Sequence, residues 1–128
     1  MQQVQATGGA LAASLADGSV VTWGVRDHGG DSSAVQQQLK NVQQVQTTVG
    51  AFAAVLADGS LVTWGNPNYG GNSSAVRDEL KNVEQVEGTF RLVGGSFAAI
   101  LADKSVVTWG DPDYGGDSSA IQLQLQYL

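Results

Sequence analysis

The chain has no cysteine, so disulfides, thiolate nucleophiles and thiol-ligated metals are excluded from the outset. Its single histidine, His28, has no second imidazole to work with, and no nucleophile–base pair, metal cluster or phosphate loop is arranged along the sequence. Lysine and arginine together number 6 of 128 residues against 12 aspartates and glutamates, a formal charge of −6. That balance, without any basic cluster, argues against a phosphate backbone as partner, so nucleic acid is not expected. No apolar run approaches membrane-spanning length, and Met1-Gln2-Gln3-Val4-Gln5 has neither the basic start nor the apolar core of a secretory signal. These absences predict a soluble, cytoplasmic protein that is not an enzyme and needs no metal or cofactor. Proline occurs twice but glycine 17 times, which points to frequent turns and close backbone approaches, hence to β structure.

What the chain does have is one unit written three times. The segment Leu15 to Gly24, Leu-Ala-Asp-Gly-Ser-Val-Val-Thr-Trp-Gly, returns with minor changes at Leu56 to Gly65 and Leu101 to Gly110. By their numbering, Trp23, Trp64 and Trp109 stand 41 and 45 residues apart. Self-similarity at such a period marks a propeller, solenoid or array. The chain therefore reads as a single repeat domain, 1–128, with repeats at about 1–41, 42–82 and 83–128.

The second copy is the cleanest. Val42 to Thr48 is polar with interspersed valines, a strand with one solvated face. Phe52 to Leu56 is a continuous apolar run too short for a helix, which predicts a strand buried on both faces. Asp58-Gly59 suits a tight hairpin whose central positions need positive φ, and Leu61 to Trp64 supplies the β-branched and aromatic return strand. The alanine pairs of the middle strands (Ala12-Ala13, Ala53-Ala54, Ala98-Ala99) fit a crowded place near a central axis. Asn66 to Gly71 is a loop, after which Asn72-Ser73-Ser74 offers caps to a short helix, Ala75 to Lys81, with Val76 and Leu80 as its buried stripe. Ser33 with Gln36 and Ser119 with Gln122 have capping-box spacing in the other copies, and Asn41 and Asn82 are expected as left-handed stops. Each unit is thus three strands and a short capped helix, and such small sheets bury their apolar middle strand only by stacking on one another.

Val62-Thr63-Trp64-Gly65 with Gly70-Gly71, and Val107 to Gly110 with Gly115-Gly116, resemble the repeats of the regulator-of-chromosome-condensation family. The match is closer still to the short three-stranded repeats of type-II β-lactamase inhibitor protein in the same superfamily. The resemblance implies an all-β fold of three propeller-type blades. It does not carry an activity, because exchange factors, enzyme inhibitors and scaffolds share the blade. Relatives of this kind set more than three blades on one chain, and propellers close from about four blades upward. Both termini fall on the repeat junction, which suggests that a second chain completes a six-bladed ring as a homodimer, with Met1, Val4, Leu125, Tyr127 and Leu128 at the seam. A compact pseudo-threefold monomer and an open, self-adhesive fragment are the alternatives.

Several constellations invite chemistry. Asp111, Asp113 and Asp117 alternate loosely like a calcium loop, but the second copy has Asn66, Asn68 and Asn72 there, and no bidentate Glu follows. An Asx turn leading into a helix cap is the preferred reading. His28 occupies the place of Tyr69 and Tyr114 and is expected to face solvent. Phe90-Arg91-Leu92-Val93 is an insertion found only in the third copy, either an interface anchor or a locally packed bulge. Lys104 replaces Gly18 and Gly59 at a turn expected to need positive φ. The sequence thus predicts a non-catalytic scaffold that binds itself or another protein through Phe90, Arg91, Leu92, His28, Tyr69 and Tyr114. The alternative is a lectin-like ring that binds a small ligand or carbohydrate by stacking on Tyr69 and Tyr114.

Overall fold

In the computed structural model, residues 3–88 and 95–110 are described. They form nine strands in three antiparallel sheets of three: β1 Gln3–Ala6, β2 Ala10–Ser14 and β3 Val20–Gly24; β4 Val42–Thr47, β5 Ala51–Leu56 and β6 Leu61–Gly65; β7 Val83–Gly88, β8 Ser96–Leu101 and β9 Val106–Gly110. Each sheet is a simple meander in sequence order, so each repeat is one blade. The expected three-stranded units are therefore present, with boundaries within a residue or so of the sequence reading.

The middle strand of the second blade shows why the blades stack. Side chains alternate across a strand. Ala51, Ala53 and Val55 join a core with Phe97, Ala99 and Trp109 of the third blade. Phe52 and Ala54 join a second core with Ala10, Ala12 and Val20 of the first. Both faces of β5 are thus buried, and its alanines let the neighbouring sheets approach closely. The alanine pairs do not, however, occupy the strand nearest its counterparts. That place belongs to the first strands, with β4 lying beside β7. There the Gln44 side chain donates from Nε2 to the Val86 carbonyl at 3.2 Å and accepts from the Val86 N–H at Oε1, 3.3 Å. One glutamine amide so replaces a peptide group and pairs the unpaired edge of the next blade.

The capped helices are a correction. The connections carry 3₁₀ turns at Gln36–Gln38 and Ser74–Glu79, and neither has a side-chain cap bond. The capping side chains are engaged elsewhere. Ser32 and Ser73 hydroxyls pair with Thr22 Oγ1 (2.8 Å) and Thr63 Oγ1 (3.0 Å) of their own blades. Gln36, expected to complete a box with Ser33, instead accepts from Ser32 Oγ and donates to the Val20 carbonyl. Leu80 is buried and Val76 packs against the core, as the stripe predicts. Asn41 (φ 56°) and Asn82 (φ 57°) are left-handed, and so is Lys104 (φ 74°), matching its glycine counterparts.

Candidate functional site

The loop that follows each tryptophan strand is held by its backbone carbonyls. In the first blade, His28 O accepts from Thr7 Oγ1 (2.7 Å), Gly29 O from Trp64 Nε1 (3.2 Å) and Gly30 O from Thr22 Oγ1 (3.3 Å). The second blade repeats the set: Tyr69 O with Thr48 Oγ1 (2.7 Å), Gly70 O with Trp109 Nε1 (3.0 Å) and Gly71 O with Thr63 Oγ1 (3.2 Å). Of three successive carbonyls, the outer two tie the loop to its own blade and the middle one receives the indole of the next. Around that bond Phe52 stacks on Trp64 at 5.2 Å and Phe97 on Trp109 at 5.5 Å. Gly29 (φ 98°) and Gly70 (φ 102°) leave room for these rings: a Cβ at either would stand 2.5 Å from a Phe ring carbon. The Thr-Trp-Gly and Gly-Gly signatures of the repeat are thus the two sides of one blade-to-blade latch.

Sequence reading did not assign Thr7, Thr48 or Gln44 a role. Their signal was periodic: Gln3, Gln44 and Gln85 recur at the repeat spacing, as do Thr7 and Thr48.

Applied to the first blade, the same latch exposes a difference. The side chains that face the preceding blade are 5% (Val45), 0% (Phe52), 0% (Ala54), 5% (Val62) and 5% (Trp64) exposed in the second blade. Their counterparts in the first are Val4 (56%), Leu11, Ala13, Val21 (45%) and Trp23 (47%), of which Leu11 and Ala13 are half-buried. Among the described residues the exposed large hydrophobics are Val4, Val21, Trp23 and Val25, all in this one blade. No acceptor stands opposite the Trp23 indole N–H among the described residues.

His28 does not face solvent as expected. It is half-buried, with Nδ1 3.3 Å from the Val49 carbonyl of the next blade and its ring beside Gly8 and Gly9. Tyr69, also half-buried, lays its ring against Gly50. Both therefore pack within the loop layer, at the corresponding place in successive blades. Val4 lies on β1. Phe90, Arg91, Leu92, Tyr114, Met1, Leu125, Tyr127 and Leu128, and the Asp111, Asp113 and Asp117 group, lie outside the described residues. In the second copy the loop asparagines make Asx turns: Asn66 Oδ1 accepts from Asn68 N–H and Asn72 Oδ1 from Ser74 N–H, each at 2.9 Å. Asp31 does the same for Ser33. The Ser33 hydrogen bonds hold its carboxyl below the usual range, with Arg26, whose Nε is 3.4 Å away, adding to the effect. A groove between the two loops is lined by Arg26, Asp27, Asp31, Asn66 and Pro67. Among the described residues no helix is long and apolar enough to cross a membrane.

No protein-family model and no curated protein sequence matches the chain. Its fold matches solved structures. Human WBSCR16 superposes with a TM-score of 0.57 at 24% identity, over 84% of this chain and 32% of that one. Yeast RCC1 (Prp20), in a crystal structure bound to Kap60, gives 0.59 at 20% identity over 84% and 29%. A second structure of Prp20p from Saccharomyces cerevisiae, described with its binding to Gsp1p and histones, gives 0.58 at 20% over 84% and 30%. The chain spans about a third of the length of these proteins. The three sheets have the blade fold of RCC1-family β-propellers.

Proposed function

We propose that the chain is a non-catalytic propeller-type scaffold that works by binding proteins, in the first place a second copy of itself. The observation that carries this reading is the apolar face of the first blade, whose counterpart in the second blade is covered by a neighbouring sheet. An exposed patch that holds all the exposed large hydrophobics among the described residues is the mark of an association site. Yeast RCC1, whose structure matches this fold, is bound to Kap60 in that crystal structure, which supports a protein-binding reading. Three-stranded blades support the likeness to type-II β-lactamase inhibitor repeats. Two copies supply six blades, within the range of about four to eight from which propellers close. The loops after Trp23 and Trp64 form the rim of the scaffold and present Arg26, Asp27 and Pro67 to further partners. Sedimentation across a concentration series tests the reading: a dimer of twice 13.2 kDa at micromolar concentration is expected, and a monomer throughout overturns self-assembly.

A further inference from the structure

We infer that the first blade's apolar face seats the third blade of a second copy, head to tail, so that the face bearing Trp23 lies on the face bearing Ile100 across the seam. This rests on the self-assembly reading and names its faces and polarity. Two interfaces within the chain supply the pattern. In each, the tryptophan-bearing face of one blade lies on the opposite face of the blade before it: Phe52, Ala54 and Trp64 on Ala10, Ala12 and Val20, then Phe97, Ala99 and Trp109 on Ala51, Ala53 and Val55. Among the described residues no sheet covers the first blade's tryptophan-bearing face, where Val4, Val21 and Trp23 are exposed. The third blade has the matching face, where Ala98 and Ile100 are half-buried although their counterparts Ala53 (0%) and Val55 (4%) are closed. With the second blade between them, these two faces point away from each other, and they meet only on separate copies.

The first strands add a polar check on the register. Gln44 pairs both the N–H and the carbonyl of Val86. One repeat later Gln85 is exposed, its amide donating to Glu87 Oε2 at 3.1 Å, while Val4, the counterpart of Val86, is exposed too. In the seam Gln85 turns to the Val4 peptide groups of the other copy. The contact joins unlike faces, so it must close or run on as a fibre. Two copies make six blades and close; three make nine, beyond the usual range.

Complementation between variants tests the polarity. Trp23→Glu and Ile100→Glu chains each place a charge in both seams of a homodimer, and each should dissociate about 30-fold or more readily than wild type. Mixed, they leave one seam wholly native, and a heterodimer should reappear by sedimentation. If the wild type dimerises but Ile100→Glu leaves it intact, or mixing fails to restore association, the head-to-tail seam is wrong while self-assembly stands. A wild type that remains monomeric removes both. Should Ile100→Glu fail to fold by circular dichroism, the exposed Gln85→Ala serves instead, and weakened association with unchanged melting supports the seam, whereas unchanged association overturns it.

Discussion

Trp64 makes its blade contact through two separable terms, a stacked ring and a single indole hydrogen bond. Trp64→Phe keeps most of the ring and removes the bond, leaving the Gly29 carbonyl buried without its donor. The expected loss is about 1–3 kcal/mol by denaturant titration. Gly70→Ala attacks the other side of the next latch. It forces a side chain into left-handed backbone, about 1–2 kcal/mol, and presses a methyl into Phe97, about 1–3 kcal/mol more. Lys104 is the opposite case, a side chain already held at φ 74° where the other hairpins have glycine. Its ion pair with Glu84 (3.3 Å) is between side chains at least half exposed and contributes little. Lys104→Gly should therefore raise stability by up to about 1 kcal/mol, with Glu84→Gln as the control for the lost pair. A neutral or lower midpoint means the turn tolerates lysine without strain.

At the scale of the element, the hairpins share a device that the Asp-Gly dipeptide alone does not reveal. Asp17, Asp58 and Asp103 each accept from the hydroxyl (2.6 Å) and the backbone N–H of the serine two residues on. Those serine bonds lower each carboxyl from its ordinary 3.8. A carboxylate whose pKa is lower folded than unfolded stabilises the fold above the unfolded value, and the gain is lost as pH falls through the folded one. The melting temperature should thus decline as pH drops below about 4, and replacing all three aspartates with asparagine should flatten that decline. The strands and hairpins were legible because period-two burial, β-branched residues and Asp-Gly all point the same way. The connecting helices were not, because Ser32, Ser73 and Gln36 are good cap residues by type and only the fold reveals that threonine hydroxyls and the Val20 carbonyl claim them first. His28 was misread for the same kind of reason: the Val49 carbonyl that its ring meets comes from the next blade, distant in sequence.

For the whole molecule, repetition was the readable part. Three copies of Thr-Trp-Gly announced stacked blades, and the blades do stack, on either side of the alanine-lined β5, which serves two cores at once. What repetition hides is its own interruption. Val4, Val21 and Trp23 look like their buried counterparts in every sequence respect, and only the structure shows that no described sheet covers them. If a second copy covers that face, as proposed, association and stability become two readings of one surface.

Hydrogen exchange of the three indole N–H groups, followed by NMR at concentrations below and above association, tests this most directly. In the dilute protein, Trp64 and Trp109 should be protected by the Gly29 and Gly70 carbonyls while Trp23 exchanges freely, and at high concentration all three should be protected. Equal exchange of the three when dilute, or a Trp23 that stays unprotected as the chains associate, would contradict blades joined by the tryptophan latch and completed by a second copy.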